Sequence, residues 1–269
     1  MDVILFDGAA HQSLWPLTAT KPVAKLRVGI FTLEEKWNYY LSTEICVRTK
    51  DYLNQKFKTN EEEANLGIFA GVLPSLELVK SISSLPKGQI LMKEGQVIAL
   101  SPMPSSEANM EEVLGGMKMV EFSGNLDFIE HPWDIVTHNH NEIVKDFEIV
   151  KLTKEEANID ETNTVIGNQL FVEKGAKVSC ATINTLDGPV FIGKGAEVLE
   201  GVLIRGSLAV CEHAVLKMGA KIYGGTTIGP YSKVGGEIGN SVIQGYSYKG
   251  HDGYLGNSVL GEWCNLGAD

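Results

Sequence analysis

Residues able to do chemistry gather at two places in this sequence. Near the C-terminal end His251 stands between Lys249 and Tyr254. An imidazole accepts a proton at neutral pH without being protonated beforehand, which suits it to general base catalysis. A lysine and a tyrosine beside it suit the holding of an anionic ligand. The bland alternative is a histidine at the corner of a repeat. The second place is near the N-terminus, where Val3–Phe6 reads as a buried strand that opens at once into Asp7-Gly8-Ala9-Ala10 and a polar loop ending in Trp15-Pro16-Leu17-Thr18. A strand followed by a flexible loop is a place where phosphates bind.

Other groups invite a metal. His131, His138 and His140 lie in the run HPWDIVTHNHN, but histidines two apart beside Asn read more simply as loop and helix-cap residues. Cys46, Cys180, Cys211 and Cys264 show no C-x-x-C spacing and suit four reduced core thiols. No metal site is expected. The formal charge of −11 comes with no basic stripe, so a nucleic-acid surface is excluded, while a small anion held by local cations and backbone N–H groups is not. Apolar runs are short, and the start lacks the basic head and long apolar core of a signal peptide, so no membrane span and a cytoplasmic location are expected.

The element that must position His251 is a repeat. Ile192, Val198, Ile204, Val210 and Leu216 return at every sixth position, a period of neither helix nor strand. Hexapeptides of this kind build a parallel β-helix, each laying a short strand on one face of a prism with its aliphatic residue in the bore. The period continues through Ile222, Ile228 and Val234, and it appears earlier, two residues out of phase, at Ile166, Val172 and Val178. Near Gly236 it slips by two again, and Val242, Tyr248, Tyr254, Leu260 and Leu266 carry a third phase. His251 follows this slip, where a loop leaves the coil and lines a groove. The last coil stops at Gly267-Ala268-Asp269 without a polar cap, and further coils beyond Asp269 are expected.

The N-terminal loop needs a different scaffold. Thr32 and Glu35 form a capping box for a helix through Leu41, with Trp37 and Tyr40 facing inward. Strands at 45–47 and 66–70 alternate with helices at 50–57 and 75–84, and residues 89–98 form a hairpin turning at Lys93-Glu94-Gly95. Such alternation implies a parallel sheet with ligands at the carboxyl ends of its strands. Pro102, Pro104 and Pro132 mark loops, and residues 141–154 form a helix leading into the repeat. The division is thus an α/β, Rossmann-like domain at 1–146, a linker at 147–163 and a β-helix at 164–269.

The run LFDGAAHQSLWPLTATKPVAKLRVG resembles the signature of the sugar-1-phosphate nucleotidyltransferases, with its Gly-rich loop, P-L-T, P-K and an aliphatic run ending in Gly. With the repeat behind it, the chain is similar to the bifunctional family of N-acetylglucosamine-1-phosphate uridylyltransferases and glucosamine-1-phosphate acetyltransferases. The resemblance implies a nucleotidyltransferase-like domain followed by a left-handed β-helix, a hand that defies the usual crossover rule. It implies nucleotide and phosphate contacts from Gly8, Thr18, Lys21 and Lys25, with Lys21 on the phosphates. The chain departs from the pattern in its loop, which has Gly8 alone and His11-Gln12-Ser13 where the family has an Arg. It departs also at Phe69-Ala70-Gly71, where the family's third strand ends in Gly-Asp with the Asp on Mg²⁺. A Mg²⁺ site is therefore left without its usual ligand, and the domain is a reduced one.

The segment KGHDGYLGNSVLGEWCNLGAD resembles the acetyltransferase end of the family more closely, with no gap needed. By that register His251 is the base that takes a proton from a sugar amine attacking acetyl-CoA, Tyr254 contacts the sugar phosphate, and Lys221 replaces a phosphate-binding Arg. A further family lysine falls on Gly239. The implied protein is a transferase of sugar-nucleotide biosynthesis, handling ligands such as UDP-N-acetylglucosamine and assembling as a homotrimer. The alternative is a non-catalytic relative that binds nucleotide sugar or serves as a trimeric scaffold. A zinc-dependent hexapeptide enzyme is set aside, because the repeat holds only two histidines, His213 and His251.

Overall fold

The computed structural model describes residues 2–57, 60 and 62–267, so the expected end of the last coil at 268–269 lies outside the described residues. The chain divides into two compact units, Met1–Leu26 with Thr32–Pro132, and Arg27–Phe31 with Trp133–Asp269. The expected boundary at 146 therefore falls inside a helix that belongs with the repeat.

In the first unit β1 (Val3–Phe6) leads into the short helix α1 (Ala10–Ser13). After the small pair β2 (Arg27–Val28) and β3 (Phe31–Thr32), α2 (Leu33–Leu41) starts at the expected capping box of Thr32 and Glu35, with Trp37 fully buried and its Nε1–H donating to the Val72 carbonyl. Then follow β4 (Cys46–Arg48), β5 (Leu66–Phe69), α3 (Leu76–Ser83), β6 (Gln89–Lys93), β7 (Gln96–Ser101), α4 (Met110–Gly116) and β8 (Lys118–Glu121).

The sheet order is β4-β1-β5-β7-β6-β8. It is mixed, not wholly parallel: β1 pairs parallel with β4 and β5, whereas β7 runs antiparallel to both β5 and β6. The 89–98 hairpin, which turns at Glu94 and Gly95 with φ +51 and +84, sets β7 antiparallel to β6. Where a helix was expected at 50–57 there is only a 3₁₀ turn, Asp51–Leu53.

The second unit is a parallel β-solenoid that matches a left-handed β-helix, with three ladders of short strands stacked along its axis. The five residues that defined the period, Ile192 to Leu216, are all buried in one core with Ile222, Ile228 and Val234. Each such side chain contributes about 1.5–3 kcal/mol of burial.

The end phases differ from the sequence reading. Ile183 pairs with Val165, which makes Val165 and not Ile166 the bore residue of the first coil. Past Gly236 the bore is lined by Ile238, Ile243, Lys249, Leu255 and Leu260, because Ile228 pairs with Ile243, Val234 with Lys249 and Ile238 with Leu255. Val242 and Tyr254 therefore face outward, and Tyr248 is paired with Lys233 on the outside. Leu266 is 38% exposed.

One prism face is covered. The helix α5 (Pro132–Thr153) runs nine residues earlier than expected, with Pro132 as its first residue and not in a loop. Proline is well placed there, since the first helical N–H has no partner to lose. Ile143, Phe147 and Val150 of α5 pack with Ile30 onto Phe171, Phe191 and Ala209 of the solenoid.

The strap 27–31 is held through its backbone. Gln244 accepts from Arg27 N–H (2.7 Å) and donates to its carbonyl (3.0 Å), Asn139 accepts from Gly29 N–H (2.7 Å), and Asp146 accepts from Ile30 N–H (2.8 Å). Gly29 is required here: at φ +78, a Cβ would lie 2.4 Å from Asp146 Oδ2 and 2.8 Å from the Glu142 backbone. His138 and His140 sit inside α5 and not at its cap, and His140 Nδ1 is 2.8 Å from Ser207 Oγ.

One corner carries an aromatic ladder. His213, Tyr231, Tyr246 and Trp263 occupy the same corner of successive coils, all with φ between +50 and +60. Their rings stack with centroids 4.9, 5.3 and 4.7 Å apart. The ring of His213 lies over Gly195, where a Cβ would come within 2.4 Å of it. Among the described residues no helix is long and apolar enough to cross a membrane. All four cysteines are free; Cys211 is buried and Cys180 is exposed, so they are not all core thiols.

Candidate functional site

At the C-terminal coils the exposed residues His251, Asp252 and Tyr254 line a cleft of about 400 Å³ together with Lys249, Gly253, Leu266 and Gly267. The loop that carries the histidine is fixed from beneath. Lys249 stands in the bore where the period calls for an aliphatic residue, and its Nζ donates to the carbonyls of Gly235 (2.9 Å), His251 (2.7 Å) and Gly253 (2.9 Å). Burial holds this ammonium below the ordinary lysine range, opposed by the charge of Asp252. Lys249 is thus occupied with backbone carbonyls of the loop, a positioning task in place of the expected hold on a sugar.

Lys221 and Tyr254 lie on the uncovered face, each beside Glu237 in register. A hollow of about 340 Å³ on that face is lined by Lys221, Tyr223, Arg205 and Asn184 among others, with Arg205 paired to Asp187 at 2.6 Å. Tyr223 bonds Glu237, which with the carboxylate's charge raises the phenol above its ordinary range. Tyr254 links the two hollows: it lines the His251 cleft, and its hydroxyl lies 3.6 Å from the place of a Cβ on Gly239, which Tyr223 also borders. The sequence reading missed Tyr223, which lay in no motif, and Asp252, which stood in the matched segment at a position given no role.

In the first unit the expected nucleotide residues stand in different surroundings. Gly8 lines a cavity of about 370 Å³ with Phe6, Phe69, Glu94 and Glu130. Thr18 is fully buried, its hydroxyl donating to the His11 carbonyl. Lys21 is 5% exposed, and Lys25 is paired with Glu34. The Phe69 ring lies 3.5 Å from where a Cβ on Gly8 would be, and it continues into an aromatic row with Phe6 and Phe128.

At the end of β5, Phe69 and Ala70 offer no side-chain oxygen, so the residues present do not fit a Mg²⁺ held from that strand. Among the described residues no group of three or more His, Cys, Asp or Glu side chains is gathered for a metal.

On the other side of the same loop three side chains unforeseen in the sequence meet. His11 Nδ1 is 2.8 Å from Asp7 Oδ2, and His11 Nε2 is 3.0 Å from the Tyr52 hydroxyl. Only the four-residue spacing of Asp7 and His11 was visible as a signal.

A mixed α/β sheet carrying a loop between its first strand and first helix is followed along the chain by a hexapeptide solenoid. A family model described as sugar nucleotidyl transferase matches residues 3–155, more than half of the chain, and the protein belongs to that family. No curated protein matches the chain.

Proposed function

We propose that the protein acts in sugar-nucleotide biosynthesis as an acyltransferase, moving an acetyl group from acetyl-CoA to the amine of an amino-sugar phosphate on its β-helix. The observation that carries the reading is the exposed His251 in a cleft shared with Tyr254, beside a face that presents Lys221. His251 accepts the proton of the amine as its nitrogen bonds to the thioester carbon; the C–S bond then breaks, and the imidazolium returns a proton to the leaving thiolate. Tyr254 and Lys221 meet the sugar phosphate, and Lys keeps the charge but not the fork of an Arg. The reading takes the uncovered face, with Leu203 and Tyr223 about half exposed, as the one met by neighbouring copies in a homotrimer.

The N-terminal unit in this reading binds a nucleotide or sugar nucleotide such as UDP-N-acetylglucosamine with little or no nucleotidyl transfer. Its support is the run Phe69-Ala70-Gly71 at the end of β5, which has no carboxylate, with Lys25 engaged by Glu34 and Lys21 buried.

The test is acetyl-CoA consumption with glucosamine-1-phosphate and related amino-sugar phosphates. A general base contributes roughly a hundred- to ten-thousandfold, so His251→Ala loses most turnover while binding of the sugar phosphate stays. His213→Ala, remote from the cleft on the aromatic ladder, keeps full turnover. Equal rates in His251→Ala and wild type would refute the assignment. No turnover in either, with a thermal shift by UDP-N-acetylglucosamine, would favour the binding protein.

A further inference from the structure

The loop that carries His251 is Gly250-His251-Asp252-Gly253, a corner of the solenoid with glycine at both ends. Two corners beneath it are closed by backbone bonds, Gly201 N–H to the Cys180 carbonyl (2.9 Å) and Gly219 N–H to the Glu200 carbonyl (3.0 Å). The corner between, Gly235-Gly236, is shorter: the bore position moves from Val234 to Ile238 across it, but from Leu216 to Ile222 and from Lys249 to Leu255 across its neighbours. The His251 loop therefore settles on two bare glycines. A Cβ on Gly235 would lie 2.8 Å from the Gly250 carbonyl oxygen, and one on Gly236 would lie 2.9 Å from that of His251 and 2.8 Å from that of Gly253.

Side chains hold this corner from both sides. From the bore, Lys249 donates to the His251 and Gly253 carbonyls. From outside, the half-buried Lys217, two coils below in the same ladder, donates to the Gly250 carbonyl and to the Tyr248 hydroxyl, each at 3.1 Å. The Tyr248 ring lies so close to Gly250 that a Cβ there would overlap it, and the Lys217 ammonium is 5.4 Å from the ring centroid. The carbonyls of Gly250 and His251 belong to the peptide units immediately before and after His251. Because peptide units are planar, pinning both of them fixes φ and ψ of His251, and with these the direction of its Cα–Cβ bond. A corner that only turned the chain would not need an ammonium on each of these two planes, one of them drawn into the bore against the cost of burying charge.

We propose that Lys217 and Tyr248 are positioning residues for His251: Lys217 holds the Gly250 carbonyl, and Tyr248 holds Lys217 and covers Gly250. An imidazole on an exposed loop thereby keeps one direction toward the acceptor amine. The kinetic consequence rests on the acyl-transfer reading, whereas the order given to the loop is readable without substrate.

The experiment compares wild type with Lys217→Met and Tyr248→Phe, and takes Lys177→Met, remote on the same ladder, as the control. Hydrogen exchange in the 250–254 loop and the Cε1–H resonance of His251 in isotope-labelled protein, assigned with His251→Ala, are recorded without substrate. Turnover is measured with acetyl-CoA and glucosamine-1-phosphate. Lys217→Met is expected to speed exchange in the loop roughly tenfold or more, the loss of a bond to a charged group, and to broaden the His251 resonance. It lowers kcat roughly ten- to a hundredfold, as misplacement by an ångström does, with KM for both substrates within about twofold of wild type. Tyr248→Phe keeps the ring over Gly250 and shows the same signs at about threefold, and it carries the test alone if Lys217→Met does not fold. Lys177→Met shows none of them.

Wild-type exchange and an unaltered His251 resonance in Lys217→Met and Tyr248→Phe would overturn the proposal, whether or not the wild type turns over. So would a raised KM at unchanged kcat, which would make Lys217 a substrate contact. A wild type without turnover whose loop still loosens in Lys217→Met would refute the acyl-transfer reading and leave the positioning of His251 standing.

Discussion

Removal of one ring from the aromatic ladder measures what that ladder contributes to the solenoid. Tyr231 stacks on His213 below and Tyr246 above, at 4.9 and 5.3 Å. Stacked pairs add about 0.5–1.5 kcal/mol each beyond area burial, so Tyr231→Ala is expected to cost about 1–3 kcal/mol. The middle of that range lowers the melting temperature by roughly 4–8 °C for a unit of this size. The position also has φ +56, a strain of about 1–2 kcal/mol that alanine keeps and glycine escapes. Glycine gives back about 0.5–1 kcal/mol in chain entropy, so Tyr231→Gly should come out slightly more stable than Tyr231→Ala. Thermal unfolding by circular dichroism reads both, and a double-mutant cycle with Tyr246→Ala isolates one stack, expected at about 0.5–1.5 kcal/mol. A Tyr231→Ala protein that melts within about 1 °C of wild type, or a coupling near zero, would refute the reasoning.

Lys249→Met keeps the length of the bore side chain but frees three carbonyls, and it should destabilise the last coils by about 1–3 kcal/mol and speed hydrogen exchange in the 250–254 loop. Because burial lowers the Lys249 pKa in the folded state, the unfolded chain binds more protons between that value and 10.5. Stability from this group therefore rises with pH across the window, and melting curves from about pH 8 to about pH 11 should show a slope that Lys249→Met lacks. Gly29→Ala places a methyl against Asp146 and the Glu142 backbone at a left-handed φ, and should cost about 2–5 kcal/mol, visible as a lowered melting temperature of the solenoid.

The solenoid was legible because its bore is filled by aliphatic side chains over these coils, and the period of six from Ile192 to Leu216 reports that geometry directly. The reading failed past Gly236 for the same reason. Lys249 in the bore broke the aliphatic rule, and Val242 and Tyr248, one residue out, offered an equally apolar column. Helix α5 was shortened because Pro132 was taken as a breaker when it stands at the one position a helix tolerates it. The mixed sheet was half visible: the hairpin was found, but its antiparallel pairing with β5 depends on contacts distant in sequence. His251, Tyr254 and Lys221 were named from the register of a family resemblance, whereas the His11–Tyr52 contact joins residues 41 apart with no local pattern to betray it.

The strap at 27–31 imposes an order on the protein's birth. Arg27 makes both of its Gln244 hydrogen bonds across 217 residues of chain. At a synthesis rate of about 5–20 residues per second, the strap leaves the ribosome roughly ten to forty seconds before its partner is made. For that time Arg27 lacks both of these bonds, although the coils of Phe171, Phe191 and Ala209 on which Ile30 packs are made earlier. A coil translated late therefore closes over a segment that emerged long before it, and a ribosome that stalls before Gln244 leaves that segment exposed for other chains to capture.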